Sequence, residues 1–267
     1  MAARFIVVPQ WQGSGSDRAM RLVEGAEAIL ADLPAAATQS IDVPLEAGDS
    51  EGTGIHRWSS IRLVRERLSM ALAEHEPGAI VVGGDCGVEY ASIDTVASRG
   101  RTVLLWADAH ADLNSPQSSP SGAFHGMVLR ALLDDGVVAP ADVLLLGVRD
   151  LDQAEADAIE QFGLRRVSPS EVGAVVAERA SEGPPATLYV HVDLDVLDPA
   201  EFTGVGFPSP FGLTVAELCD AVRDARAALE LGGAGLCEYA PATPGAEGEA
   251  AGDDSAAILR IIGAMTR

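Results

Sequence analysis

The stretch TLYVHVDLDVLDP, residues 187–199, joins a run of apolar residues to a cluster of aspartates. The apolar run is continuous rather than alternating, which is typical of a strand that is buried on both faces of a parallel sheet. Asp193 and Asp195 follow at alternate positions, and alternate side chains of an extended backbone share a face. The stretch therefore predicts a buried strand that presents carboxylates at its carboxyl end.

Similar runs recur along the chain and alternate with helical patterns. The other predicted strands are RFIVV (4–8), AIVVGG (79–84), TVLLWAD (102–108), VLLLGV (143–148) and AGLCEY (234–239). Predicted helices lie near 17–32, 58–75, 88–99, 125–134, 152–162, 169–180, 214–230 and 254–266. This alternation predicts an α/β fold, with a parallel sheet covered by helices on both sides. Since the predicted loops, 44–57 and 242–252, are too short to divide the chain, we expect one domain over 1–267.

Composition excludes several classes of protein. The chain has 267 residues, of which 48% are hydrophobic, and a formal net charge of −22, which argues against nucleic-acid and anionic-membrane partners. It has no apolar run of about 18 residues for a transmembrane helix and no secretory leader pattern. The three cysteines, Cys86, Cys219 and Cys237, have no disulfide-framework spacing. We therefore expect a cytoplasmic protein.

Acidic residues follow five of the predicted strands. They include Asp85, Asp108, Asp150, Asp193 and Glu238. Ligands of open parallel sheets bind beyond the carboxyl ends of the strands, so these groups are expected along one rim. Crowded carboxylates are costly unless cations neutralise them. Although any single aspartate could be a turn residue, the set predicts a metal site.

The spacing within DAHAD (108–112) supports this prediction. Asp108, His110 and Asp112 occupy alternate positions and can converge on one point. Together with Asp193 and Asp195 they provide enough ligands for two ions. Carboxylates with imidazole suit manganese or zinc, and oxygen-rich sites favour manganese, so two Mn²⁺ ions are the preferred interpretation and zinc stays open.

The motifs together resemble the arginase family of ureohydrolases. The matching segments are GGDC (83–86), DAHAD (108–112), SGAFHG (121–126), GVRDLD (147–152), HVDLDVLDP (191–199) and CEYAP (237–241). The resemblance implies a three-layer α/β/α arginase-like fold with a mostly parallel central sheet. It also implies a binuclear manganese centre and hydrolysis of a guanidino or amidino group.

The resemblance assigns roles to individual residues. Asp108 and Asp193 would bridge the two metals, Asp112 and Cys86 would complete one, and His110 and Asp195 would complete the other. The ions would activate one shared water for attack on the guanidino carbon. His125 would act as the general acid/base that helps the amine to leave, and Glu238 would hold the cationic guanidinium. As alternatives, His125 could be a backbone-bonded helix-start residue and Glu238 a salt-bridged strand-end acid.

The resemblance also indicates a substrate that is an amino acid rather than a decarboxylated amine. The residues expected to bind the α-amino and α-carboxylate groups are Asn114, Ser119, Ser121, Asp152 and Glu155. The alternative is that these are ordinary loop and helix-cap residues, and Asp152 is well placed to cap a helix. The expected partner is therefore a small-molecule guanidino amino acid. We expect a monomer, because no long tail follows the last predicted helix.

Three residues depart from the family pattern. Cys86 replaces a histidine ligand, Ala123 replaces an asparagine that would contact the carboxylate, and Phe207 replaces a small polar residue. A thiolate at position 86 would leave the ligands and two dications with one net negative charge instead of none. Such a site would make the attacking hydroxide more basic, which favours a guanidine other than plain arginine. A non-ligating cysteine at an impaired site is the alternative.

The preferred substrate is Nω-hydroxy-L-arginine, hydrolysed to hydroxyurea and L-ornithine. With its cysteine, the chain resembles the family members that act on this compound in antibiotic biosynthesis. Three alternatives stay open: an ordinary arginase, another guanidino-acid hydrolase, and a non-catalytic metal-binding relative.

Overall fold

Eight strands form one sheet in the computed structural model, which describes residues 4–75, 77–241 and 254–266. The strands are β1 (Phe5–Val8), β2 (Thr38–Ser40), β3 (Ala79–Gly83), β4 (Arg101–Ala107), β5 (Val143–Leu146), β6 (Arg165–Val167), β7 (Ala186–Asp193) and β8 (Leu231–Cys237). Their order is β2-β1-β3-β8-β7-β4-β5-β6, and every neighbouring pair is parallel. The predicted parallel sheet is confirmed.

Helices cover both faces of this sheet. They are α1 (Arg21–Asp32), α2 (Trp58–Ala73), α3 (Glu89–Ala97), α4 (Val128–Asp134), α5 (Gln153–Phe162), α6 (Val172–Ser181), α7 (Val215–Ala228) and α8 (Asp254–Thr266). One buried apolar cluster joins the sheet to α1, α6, α7 and α8, and a second joins it to α2, α3, α4 and α5. Successive side chains of a strand point to opposite faces of the sheet, so the strands contribute residues to both clusters. The three-layer α/β/α prediction is confirmed.

Two strands were not predicted, because both are short and polar. β2 is Thr-Gln-Ser and β6 is Arg-Arg-Val, and each lies at an edge of the sheet where side chains face solvent. Neither contains the apolar run on which the prediction depended. The predicted loop over 44–57 contains no helix or strand, whereas the predicted loop over 242–252 lies outside the described residues.

The strand order creates the crevice where a ligand can bind. β3 and β4 are consecutive along the chain, but β8 and β7 lie between them in the sheet. In parallel α/β sheets, binding sites form beyond the carboxyl ends of strands at such changes in winding direction. The adjacent ends of β3, β8, β7 and β4 lead to Cys86, Glu238, Asp193 and Asp108. In the described part of the chain, no helix is long and apolar enough to span a membrane.

Candidate active site

Two aspartates fix the turns that follow the central strands. Asp108 Oδ1 accepts a hydrogen bond from the His110 backbone N–H at 2.7 Å, and Asp193 Oδ1 accepts one from the Asp195 backbone N–H at 2.8 Å. The second oxygen of Asp108 accepts from the indole Nε1 of Trp106 at 3.2 Å. Both carboxylates are buried, so each turn carries a rigidly held acidic group into the crevice.

His110 and Asp195 form one group of potential ligands with Asp108. The Nδ1 atom of His110 lies 2.9 Å from Asp195 Oδ2 and 3.5 Å from Asp108 Oδ1. One donor atom from each of the three residues lies within 4.8 Å of the others. Imidazole and carboxylate donors at this separation suit a divalent cation.

Cys86 forms further groups on the other side of Asp108. It begins a short helical turn after β3 and is buried, with Sγ 3.2 Å from Asp193 Oδ2. Its sulfur lies within 4.8 Å of donor atoms of Asp108 and His191, and also of Asp193 and Glu238. The thiol thus lies among the carboxylates that the sequence predicts to bridge two metals.

Asp112 and Glu238 have backbones in the left-handed region, with φ of 50° and 67°. This region is unfavourable for residues other than glycine, and such residues concentrate at functional sites. Both side chains are buried, and Asp112 Oδ2 has no hydrogen-bond partner in the described structure. An unpartnered buried carboxylate oxygen is costly unless a cation binds it, so Asp112 fits a metal-ligand role.

The electrostatics of the cluster also favour bound cations. Burial and the charges of neighbouring carboxylates raise the pKa of Asp112 and of Asp193 well above the usual range, and raise that of Asp195 to about 6. Burial opposes protonation of His110, yet its bonds to Asp108 and Asp195 raise its pKa. Burial also raises the pKa of the Cys86 thiol. A divalent cation would stabilise the ionised form of each acidic group. The predicted ligands therefore fit a metal centre.

His125 and Glu238 line a cavity of about 190 Å³ together with His110, Asp112, Asp193 and Asp195. The Nδ1 atom of His125 lies 3.5 Å from Glu238 Oε1, and the same oxygen accepts the Cys86 backbone N–H at 3.2 Å. The ring of Phe207 lies 5.3 Å from that of His125 and also lines the cavity. A proton donor and a further carboxylate thus lie beside the potential metal ligands at one cavity.

Of the five predicted substrate-binding residues, two line the cavity. Asn114 and Glu155 line the cavity. Asp152 accepts a hydrogen bond from Asn114 Nδ2 at 2.8 Å and caps α5 by accepting the Glu155 backbone N–H at 2.9 Å. It therefore holds two residues of the cavity lining in place. Ser119 and Ser121 are not among the residues that line this cavity; their hydroxyls lie 3.4 Å apart and accept backbone N–H groups of their own loop.

Three further residues support the site, and the sequence assigned none of them an individual role as a metal ligand or a substrate contact. Asp85 accepts hydrogen bonds from Gln10 Nε2 and the Gly13 backbone N–H, both at 2.9 Å, and thereby ties the loop after β1 to the end of β3. Arg149 donates to the carbonyl oxygens of Asp195 and Ser209, each at 2.8 Å. These contacts are long-range, so local spacing contains no signal for them.

His191 is the third of these residues, and a local signal for it exists. It lies two positions before Asp193 in β7, so the strand period places both side chains on one face. Burial opposes its protonation, but contacts with Asp108 and Glu89 prevail and raise the pKa of His191 to about 9.

Comparisons with known proteins give a consistent result. A model of the arginase family matches residues 15–258. The arginase of Bacillus caldovelox is 31% identical over 211 residues, which cover 70% of this chain and 69% of that protein. The arginase of Staphylococcus aureus is 29% identical over 197 residues, and the match spans 66% of this chain and 65% of that relative, slightly under two thirds of its length.

A solved structure shows the same fold over nearly the whole chain. The arginase of Entamoeba histolytica, solved in complex with L-ornithine, superposes with a TM-score of 0.83. The match covers 98% of this chain and 97% of that one at 20% sequence identity. At this identity the likeness concerns the fold, whose crevice contains the site described above.

Proposed function

Because the chain belongs to the arginase family, we propose that it is a metal-dependent amidinohydrolase that cleaves the guanidino group of an amino acid. The observation that carries this proposal is the meeting of three groups at one cavity: the buried carboxylate cluster, His125 and Glu238. Two divalent cations, with manganese preferred, would be held by the predicted set and would supply a nucleophile from water at neutral pH. That set is Cys86, Asp108, His110, Asp112, Asp193 and Asp195.

The chain's own residues perform the other steps. Glu238 binds the guanidinium through charge-assisted hydrogen bonds and orients its carbon towards the carboxylate cluster. His125 lies on the same side of the cavity as Glu238 and gives its proton to the departing amine. The contact with Glu238 favours the protonated form that this step needs. Asn114 and Glu155, which also line the cavity, bind the α-amino-acid end of the substrate.

The finer proposal is that the substrate is Nω-hydroxy-L-arginine, which water converts to hydroxyurea and L-ornithine. Support comes from Cys86, whose sulfur lies 3.2 Å from the Asp193 carboxylate and therefore inside the predicted ligand set. A thiolate there adds one negative charge and reduces the Lewis acidity of the centre. The electron-withdrawing hydroxyl of the substrate compensates, because it leaves the guanidino carbon a better electrophile.

Hydrolysis of L-arginine to urea and L-ornithine is the second candidate. The relatives from Bacillus caldovelox and Staphylococcus aureus are arginases, and His125 and Glu238 are equally suited to an unmodified guanidinium. The two candidate substrates differ in how electrophilic the guanidino carbon is when the metal-activated water attacks it.

A direct assay separates them. L-Ornithine release is measured from Nω-hydroxy-L-arginine and from L-arginine with manganese-loaded protein. A kcat/KM at least tenfold higher for the hydroxylated substrate supports the finer proposal, whereas a preference for L-arginine makes the chain an arginase. Release from neither compound, nor from other guanidino acids, contradicts the amidinohydrolase proposal.

The Cys86→His substitution tests the reason for the preference. It restores an imidazole donor and removes one negative charge, so the ratio of kcat/KM for Nω-hydroxy-L-arginine to that for L-arginine should fall about tenfold, equivalent to roughly 1.4 kcal/mol. Cys219→Ser, at a buried cysteine in α7, is the control and should leave the ratio unchanged. An unchanged ratio in Cys86→His would show that Cys86 does not set specificity.

A further inference from the structure

A buried polar group lies beneath Cys86 that the proposed chemistry does not use. It consists of Glu89, Tyr189, His191 and Cys237, all essentially inaccessible to solvent. Buried histidines and carboxylates are uncommon unless they are paired or bind a metal. The group therefore has a structural or chemical role at the centre of the molecule.

The orientation of the His191 ring is fixed on two sides. The ring stacks on Trp106 with centroids 3.7 Å apart and planes at 25°. Its Nδ1 lies 3.2 Å from Glu89 Oε2, an oxygen that also accepts the Tyr189 hydroxyl at 2.9 Å. Since a carboxylate only accepts hydrogen bonds, Nδ1 carries the hydrogen of this contact, and Nε2 is left to face the opposite direction.

That direction leads to the predicted metal ligands. The Nε2 atom lies 3.7 Å from Asp108 Oδ2 and 4.0 Å from Cys86 Sγ, and the three donor atoms lie within 4.8 Å of one another. Donor atoms bound to one ion at about 2.0–2.3 Å are separated by roughly 3–4.5 Å. The three atoms therefore have the spacing of ligands around a common cation.

Asp108 divides its two oxygens between two such groups. Oδ1 faces His110 at 3.5 Å, whereas Oδ2 faces His191 at 3.7 Å. Each oxygen thus has an imidazole beside it, on opposite sides of the carboxylate. This is the arrangement expected of a carboxylate that bridges two ions, each with its own histidine.

We propose that His191 is a further metal ligand through Nε2 and shares one ion with Cys86 and Asp108. The imidazole that position 86 lacks is supplied from β7, two residues before Asp193. Glu89 acts as the carboxylate that orients a metal-binding histidine through its other nitrogen. The cation takes the place of the proton on Nε2. A thiolate, an imidazole and a carboxylate together suit a thiophilic divalent cation such as Zn²⁺ or Co²⁺.

This inference rests on the metal centre of the proposed function but not on its substrate, and its test uses metal binding alone. Co²⁺ is titrated into the metal-free wild type and into His191→Asn, which keeps a donor for Glu89 and removes Nε2. We expect the affinity for one of the two ions to fall at least tenfold, with a changed visible spectrum of bound Co²⁺. His75→Asn, a surface histidine bonded to Gln39, is the matched control and should bind Co²⁺ like the wild type.

A second measurement needs no substitution and remains decisive if His191→Asn does not fold. Wild-type protein with nitrogen-labelled histidine is loaded with Cd²⁺ and examined by cadmium NMR. The cadmium resonance shifted by the Cys86 thiolate should show scalar coupling to an imidazole nitrogen. A thiolate-shifted resonance without such coupling, or a His191→Asn protein with wild-type Co²⁺ affinity and spectrum, would overturn the proposal. Failure to hydrolyse any guanidino compound would leave these readouts unaffected.

Discussion

Asp112 and Glu238 each have a strained backbone conformation that positions a side chain of the site. Each adopts a left-handed backbone, and each presents a buried carboxylate to the same cavity. Such conformations cost about 1–3 kcal/mol per residue and persist only where the surroundings enforce them. For Glu238 the enforcing contacts include its backbone N–H, which donates to the Gly84 carbonyl oxygen at 2.8 Å. The strain places a carboxylate at the end of β8, where an extended backbone would direct it elsewhere.

The pKa of His125 tests the contact with Glu238. Burial lowers this pKa, whereas the bond to Glu238 and the charge of Asp85 raise it, and the net direction is upward. Glu238→Gln removes the largest raising contribution, so we expect the pKa of His125 to fall. A step that needs the imidazolium is lost as pH rises through this pKa, so the basic limb of the rate profile should move to lower pH.

The measurement is an NMR titration of the histidine ring protons in metal-free protein, with His125→Ala used for assignment. Glu155→Gln, at another carboxylate that lines the cavity, is the control and should leave the pKa of His125 in place. An unchanged or higher pKa in Glu238→Gln would disprove the proposed coupling.

The first turns of two helices, α5 and α7, have the same capping motif, but only that of α5 also contacts the cavity lining. α5 and α7 both begin with a capping box, formed by Asp152 with Glu155 and by Thr214 with Glu217. The first box has an additional role, because Asp152 also accepts from Asn114 and Glu155 also accepts the Leu113 backbone N–H at 3.4 Å. The start of α5 thus holds the loop after DAHAD against the cavity, whereas that of α7 serves its own helix.

Alanine substitutions at the two caps should separate stability from binding. Asp152→Ala and Thr214→Ala should each lower the free energy of unfolding by about 1 kcal/mol, measured by urea titration. Only Asp152→Ala should also raise KM, because it removes the hydrogen bond that holds Asn114 Nδ2 and leaves, among the described contacts of that side chain, only the bond from the Ser118 hydroxyl. Equal KM values in both variants would show that the contact between Asp152 and Asn114 has no role in substrate binding.

At the scale of the whole molecule, the sheet order concentrates charge in the centre of the protein. The ends of β3, β8, β7 and β4 lie side by side, and burial with mutual repulsion raises the pKa values of Asp112, Asp193 and Asp195. The unfolded chain separates these carboxylates and binds cations weakly. Metal binding should therefore stabilise the folded state by mass action.

Thermal unfolding with increasing Mn²⁺ tests this expectation. At a free concentration about 100 times the dissociation constant, one bound ion adds about 2.7 kcal/mol, so Tm should rise with Mn²⁺ and fall again with a chelator. Asp108→Ala removes the proposed bridging carboxylate and should lose most of the rise. Asp220→Asn, at an exposed residue paired with Arg223, should retain it. A wild-type Tm that does not change with the Mn²⁺ concentration would contradict the proposal of a metal centre.

Local sequence patterns predict most of the strands and the acidic residues at their carboxyl ends. Continuous apolar runs predicted β1, β3, β4, β5, β7 and β8, because a strand buried on both faces needs no polar alternation. The alternate spacing in DAHAD and HVDLD predicted which side chains share a face, since this follows from the local backbone alone. The edge strands β2 and β6 contain no such run, so their pairing was decided by the neighbouring strand.

Which of these side chains come into contact depends on the tertiary structure. No local pattern specifies that β8 and β7 lie between β3 and β4, and this order brings Cys86 to Asp193. The segment after β4 brings His125 to Glu238, and the His125 backbone N–H donates to the Gly13 carbonyl oxygen at 3.0 Å. The same holds for His191, whose Nε2 is directed towards Cys86 by Trp106 and Glu89. The physical reason is that local backbone geometry fixes the face of a side chain, whereas its partners depend on packing between residues far apart along the chain.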